Sequence, residues 1–209
     1  GLISDQAGNL YGETYTGGNG LACNCGLVFE LTPATSGSWT EKVLHRFAEG
    51  ADGEAPNGGL TFDQAGNLYG TTLVGGSVKT GLWLGTVFEL TPLGNGSWKE
   101  KILHTFPDPD SVEGAEPQSG VIFDNAGNLY GTTLFGGNLS RCGNAGCGVV
   151  FELIPNPNGS WKEKVLHRFG GGDGEAPSSL IFDRSGNLYT TATNGGVSAL
   201  RVTDLSLDG

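Results

Sequence analysis

Residues 98–106 read Trp-Lys-Glu-Lys-Ile-Leu-His-Thr-Phe. Along them Trp98, Glu100, Ile102, His104 and Phe106 fall on one side, and Lys99, Lys101, Leu103 and Thr105 on the other. That period of two predicts a β-strand. Just upstream, Gly85-Thr86-Val87-Phe88-Glu89-Leu90-Thr91-Pro92 is rich in β-formers and stopped by proline, which predicts a partner strand. Leu93 to Ser97 joins the two through a turn centred on Asn95-Gly96, a hairpin signal. Before a Gly-rich loop running from Gly75-Gly76 to Gly81, Gly59–Asp63 and Asn67–Thr72 predict two further short strands. Gln64-Ala65-Gly66 turns between them, with Gly66 taking the positive φ of a three-residue hairpin. No segment sustains a 3.6-residue period, so no helix longer than a turn is predicted.

The set recurs. Asp-x-x-Gly-Asn-Leu-Tyr stands at Asp5–Tyr11, Asp63–Tyr69, Asp124–Tyr130 and Asp183–Tyr189, at spacings of 58, 61 and 59 residues. Four antiparallel strands in each unit of about 60 residues is the signature of a β-propeller blade. A β-solenoid fits less well, because its coils are usually shorter and lack such hairpin turns. Three copies are complete, at 1–58, 59–119 and 120–178. The fourth, 179–209, offers Ser179–Asp183, Asn187–Ala192 and, as a third strand, Ala199, Leu200, Arg201, Val202, Thr203, Asp204 and Leu205. No Trp-x-x-x-x-Leu-His strand follows them. The expectation is an all-β propeller of about four blades and fifteen strands, the last blade incomplete and its third strand left as an unpaired edge.

Composition narrows the partners. The formal net charge of −11 speaks against a nucleic acid or an anionic membrane, since either needs a basic face. No apolar run approaches the length that spans a bilayer, and no basic stretch followed by an apolar one marks a signal peptide. The chain has no Met and opens at Gly1 inside a repeat, as expected of a processed or excerpted piece.

Several phrases resemble the bacterial tandem repeats called GloVer, in which a Gly-rich stretch leads into a Val-Phe-x-Leu strand. They are Gly26-Leu27-Val28-Phe29-Glu30-Leu31, Gly85-Thr86-Val87-Phe88-Glu89-Leu90 and Gly148-Val149-Val150-Phe151-Glu152-Leu153. Val43-Leu44-His45-Arg46-Phe47, Asp52-Gly53-Glu54-Ala55-Pro56 and Gly66–Thr72 accompany them. The resemblance departs after Gly196. It implies a secreted or surface-attached bacterial protein and attaches no general biochemical activity.

Residues that recur are expected to build the repeat. His45, His104 and His167 read as structural, hydrogen-bonded histidines, one per blade. Glu30, Glu89 and Glu152, and Glu41, Glu100 and Glu163, are expected to pair across strands with Lys42, Lys101 and Lys164. The acidic loops at Asp52-Gly53-Glu54, at Asp108-Pro109-Asp110 with Glu113 and Glu116, and at Asp173-Gly174-Glu175 hold oxygens of the kind Ca²⁺ takes. None has the spacing of a calcium motif, and a plain turn is the simpler reading. Cys142 and Cys147 are expected to pair locally, while Cys23 and Cys25 are either a strained disulfide or free thiols. The three Asn-x-Ser sites, at Asn95, Asn138 and Asn158, fit glycosylation, but two of them coincide with a turn that wants Asn-Gly anyway. Trp83 has no counterpart in the other copies and is a candidate contact residue.

No catalytic constellation or cofactor site emerges, so the leading expectation is not an enzyme. It is an extracellular structural or interaction module that assembles with other copies or surface proteins through the Ala199–Leu205 edge, with a fibre as one outcome. The alternatives are a glycan-binding surface module using Trp83, and a hydrolase, since Asp-x-x-Gly-Asn-Leu-Tyr is similar to repeats of calcium-dependent lactonase propellers.

Overall fold

The computed structural model describes residues 1–18, 23–35, 37–76, 84–107, 112–196 and the backbone of 202–205. The strands fall into four antiparallel sheets in chain order. The first runs β1 (Ile3–Ser4), β2 (Leu10–Thr14), β3 (Leu27–Pro33), β4 (Trp39–Arg46). In the second, β5 (Glu54–Pro56) and β6 (Thr61–Phe62) both pair with β7 (Leu68–Val74), followed by β8 (Thr86–Pro92) and β9 (Trp98–Thr105). The third contains β10 (Ile122–Phe123), β11 (Leu129–Thr132), β12 (Val149–Pro155) and β13 (Trp161–Arg168). The fourth has β14 (Glu175–Phe182), β15 (Leu188–Asn194) and β16 (Val202–Leu205). Because β5 and β6 share one partner, these segments make fifteen strand positions, in a β-propeller of about four blades.

The recurrent Asp phrase is a turn lock. Asp63 Oδ1 accepts from the amides of Ala65 (2.8 Å) and Asn67 (2.9 Å), and Oδ2 from the Asn67 side chain at 2.7 Å. Tyr69 Oη lies 3.2 Å from Asp63 Oδ2 and 3.0 Å from Glu89 Oε1, tying the hairpin to the third strand. The same set forms around Asp5 with Tyr11 and Glu30, and around Asp124 with Tyr130 and Glu152. Lys42 and Lys164 then pair with Glu30 (3.8 Å) and Glu152 (3.5 Å), the expected cross-strand contacts.

One expectation about the fourth strand is corrected. Trp98 to Phe106 do not keep one alternating face, because Val87 opposes His104 while Phe88 opposes Ile102, so Leu103 is a bulge. A bulge adds one residue and swaps the faces beyond it. Trp98 and Ile102 therefore pack toward the first blade, and Leu103 and Phe106 toward the third. Equivalent register shifts occur in the first and third sheets. A second correction concerns Glu54-Ala55-Pro56, expected in a loop. It is a strand that pairs with β7 and reaches back to the previous blade, the Ala55 amide donating to the Cys25 carbonyl at 2.8 Å.

The core lies in the seams between blades. The first seam buries Tyr11, Val28, Leu44 and Phe47 of the first blade against Leu60, Leu68, Phe88 and Leu90 of the second. Similar clusters join the second blade to the third and the third to the fourth. Edge-to-face pairs recur across them, with Phe47–Phe88 and Phe106–Phe151 both at 5.1 Å between centroids. Among the described residues no core cluster joins the fourth blade back to the first. The face of the first blade that corresponds to Leu60 and Trp98 leaves Leu2 at 55% and Trp39 at 49% of full exposure.

Candidate functional site

The bulge in each fourth strand has a chemical consequence. Ahead of it the strand carries a glutamate facing the preceding blade; beyond it, a histidine facing the following one. His45 of the first blade thus meets Glu100 of the second, its Nε2 lying 3.7 Å from Glu100 Oε1. Asp52, at the end of the short 3-10 turn leading into β5, completes the group, with Oδ1 3.4 Å from the same nitrogen. The ring is held edge-on against Phe47, 4.7 Å between centroids. The other Asp52 oxygen accepts from the Ala48 amide at 2.5 Å, which fixes the loop.

The next seam repeats the histidine–glutamate pair without a third acidic ligand among the described residues. His104 Nε2 lies 3.6 Å from Glu163 Oε2, and His104 stacks edge-on against Phe106. At the third seam His167 Nε2 donates to the Asp173 carboxylate at 2.8 Å, and the described part of the fourth sheet brings no glutamate to it.

Burial dominates the electrostatics. It pushes the Glu100 carboxyl up to about 9, helped by its hydrogen bond to Asp52 and the charge there. It pushes Glu163 up to about 8, with Glu113 adding repulsion. His104 is driven down to about 4 by desolvation alone. Burial also works against the Asp52 carboxylate, but its contacts with His45 and Glu100 and the Ala48 amide outweigh this and hold it below its usual value. The shifts of Glu100, Glu163 and His104 follow from the penalty on charge in a poorly solvated seam, and that of Asp52 from contacts that overcome it.

The histidines are one per blade, as expected; His167 makes the hydrogen bond expected of them, whereas Nε2 of His45 and of His104 is buried without one. Glu100 and Glu163 are not cross-strand partners of lysine as expected; they belong to the histidine of the previous blade. The signal was present as a constant distance, since Glu and His lie four residues apart on every fourth strand. A period-two reading put them on one face, and only the bulge separates them.

The other candidates place simply. Both cysteine pairs are disulfides, Cys23–Cys25 and Cys142–Cys147, with Cα separations of 5.3 and 5.4 Å. This decides the question that spacing left open for the first pair. In the sequons the Asn side chains make turn bonds, Asn95 Oδ1 accepting from the Ser97 amide at 2.9 Å and Asn158 Oδ1 from that of Ser160 at 3.0 Å. Trp83, Asp108 and Asp110 lie outside the described residues, as do Ala199, Leu200 and Arg201 of the expected edge. Val202, Thr203, Asp204 and Leu205 form β16, paired to β15 from Thr191↔Val202 to Leu188↔Leu205. No helix among the described residues is long and apolar enough to cross a membrane.

Four hairpin-built sheets joined through repeated seams define a β-propeller repeat protein. The chain belongs to the Gloeobacter/Verrucomicrobia repeat family, whose model matches residues 1–202. In fold it is similar to the X-ray structure of a protein provisionally assigned as a gluconolactonase, at a TM-score of 0.58 and 17% identity. The match covers 98% of this chain and 61% of that one, so the chain spans less than two thirds of that protein's length. No curated protein matches the sequence.

Proposed function

We propose that the chain is an extracellular, non-catalytic propeller module that assembles head to tail with further copies of itself. The observation that supports this is the exposed leading face of the first blade. Leu2 is 55% exposed where its counterparts Leu60 and Val121 are 8% and 2% exposed. At the other end Ile181 is 67% exposed, whereas Ile3 and Ile122 pack into the first and third seams. The two end faces carry the residue types that fit each other at the first and third seams, so a blade of another copy is their natural occupant. The edge of β16 adds unpaired backbone groups among the described residues, which a strand of that copy can meet by β-augmentation. Such a contact is heterologous; it grows into a filament unless the rotation closes a ring.

The two disulfides favour an oxidising compartment and hence an extracellular setting. Likeness to an assigned gluconolactonase carries no activity here, since one fold hosts many functions. Electron microscopy and sedimentation of the 1–209 chain over a range of concentrations test the reading. Filaments or closed oligomers that disappear on Trp39→Lys support it. Monomers at every concentration overturn it.

A further inference from the structure

We propose that the seam between the first and second blades is a binding site for a divalent cation of the zinc class, held by His45, Asp52 and Glu100. The His104–Glu163 seam carries the histidine and glutamate without a third ligand among the described residues, so it is not a second site. The metal is a staple between blades, because its ligands come from both sides of a seam. This inference stands apart from self-assembly, since the seam lies inside one chain.

Geometry carries the argument. Ligands about 2.1 Å from a tetrahedral ion stand about 3.4 Å from one another. His45 Nε2 lies 3.4 Å from Asp52 Oδ1 and 3.7 Å from Glu100 Oε1, and the three donors all fall within 4.8 Å of each other. These separations are too long for good hydrogen bonds and suit donors sharing a cation.

Two of the three donor atoms are also orphaned. His45 Nε2 and Glu100 Oε1 are buried with no hydrogen-bond partner, and so are His104 Nε2 and Glu163 Oε1. Buried polar atoms are almost always partnered, and each exception calls for a reason. Glu163 is the clearest case, its side chain only 8% exposed. In both seams the histidine Nε2 is orphaned together with one glutamate oxygen, at the first seam the oxygen that faces the histidine and at the second the other one.

The third seam is an internal control. There His167 has Asp173 but no glutamate among the described residues, and the pair closes to a 2.8 Å hydrogen bond. Where the glutamate is present the histidine and acid stand apart; where it is missing they collapse onto each other.

An imidazole nitrogen with two carboxylate oxygens selects zinc, cobalt or nickel over the hard cations, which take oxygen ligands only. His45 and Asp52 keep 18% and 23% of their side-chain surface, enough to admit the ion and leave a position for water.

The test strips the full 1–209 chain with chelator and titrates it with CoCl₂, followed by absorption, and with ZnCl₂, followed by calorimetry and thermal unfolding. Co²⁺ is expected to give a ligand-field band that Zn²⁺ displaces, with one equivalent bound, at the first seam. Zn²⁺ raises the unfolding temperature, and Ca²⁺ at the same concentration does not. Glu100→Gln removes one equivalent, weakening that seam by more than about a hundredfold, since loss of even a second-shell partner costs about 10- to 100-fold. Glu163→Gln and Asp173→Asn leave that equivalent in place. Should Glu100→Gln fail to fold, His45→Gln reads the same equivalent. The proposal is overturned if the unmutated chain gives no ligand-field band, if Glu100→Gln and His45→Gln bind as it does, or if a thiolate charge-transfer band places the ion on cysteine.

Discussion

Phe29 and Phe88 hold the same place on the third strands of neighbouring blades, yet Phe88 is fully buried and Phe29 only half-buried. Leu31 and Leu90 differ in the same way. Trp39 is 49% exposed, while Trp98 and Trp161 are half-buried in their seams. Nothing within a blade separates these residues, because register, bulge and turn lock are the same. The difference is a neighbour. A blade contributes half of each seam, and its apolar face is worth nothing until another blade covers it.

That contrast sets the largest expected effect. Phe88→Ala should lower the unfolding free energy by about 3–5 kcal/mol, the usual result of emptying a packed aromatic site. Phe29→Ala in dilute solution should lose less than half as much. Urea unfolding of both variants decides it. Equal losses would show that the first blade's face is already covered.

Next comes Glu13, where Thr71 and Thr132 stand in the second and third blades. Burial pushes its carboxyl up to about 7, and the Gly59 amide, 2.6 Å from Oε1, offsets this only in part. An acid whose folded value is raised contributes stability fully below its unfolded value of 4.5 and loses it as the pH rises through about 7. Glu13→Thr should therefore flatten stability across that window, in thermal melts at stepped pH. An unchanged slope would mean that Glu13 is solvated.

The turn locks give a smaller contrast. Asp63→Ala should cost about 1–3 kcal/mol, since it leaves the Ala65 and Asn67 amides and the Asn67 side chain without their acceptor. Asp183→Ala, in the exposed hairpin of the fourth blade, should cost less. Hydrogen exchange at Asn67 and Asn187 reports each turn separately. Smallest of all, Trp39→Ser should alter monomer stability by less than about 1 kcal/mol while lowering any association, read by sedimentation. A large loss of stability would place Trp39 in a seam within one chain.

The repeat made most of this fold legible. Asp-x-x-Gly-Asn-Leu-Tyr announces a hairpin because its Asp, Asn and Tyr bond one another within seven residues, and the Asn-Gly-Ser turns are equally local. The bulge was hidden, since an alternating strand and one with an extra residue look alike until a partner fixes the register. The site went with it. Glu100 and His104 were read as sharing a face, and so no inter-blade pairing of Glu100 with His45 could be foreseen.

Local interactions, then, were determined by the sequence alone: which residues turn, which extend, how often the unit recurs, and that the last unit departs from the pattern. They need contacts only a few residues long, so the order of amino acids is enough to specify them. Tertiary structure decided what each blade faces. It brought His45, Asp52 and Glu100 together across a seam, closed Cys23 onto Cys25, and left Leu2 and Trp39 in solvent. Those outcomes depend on register between strands and on the neighbour that excludes water, and neither is written at any single position.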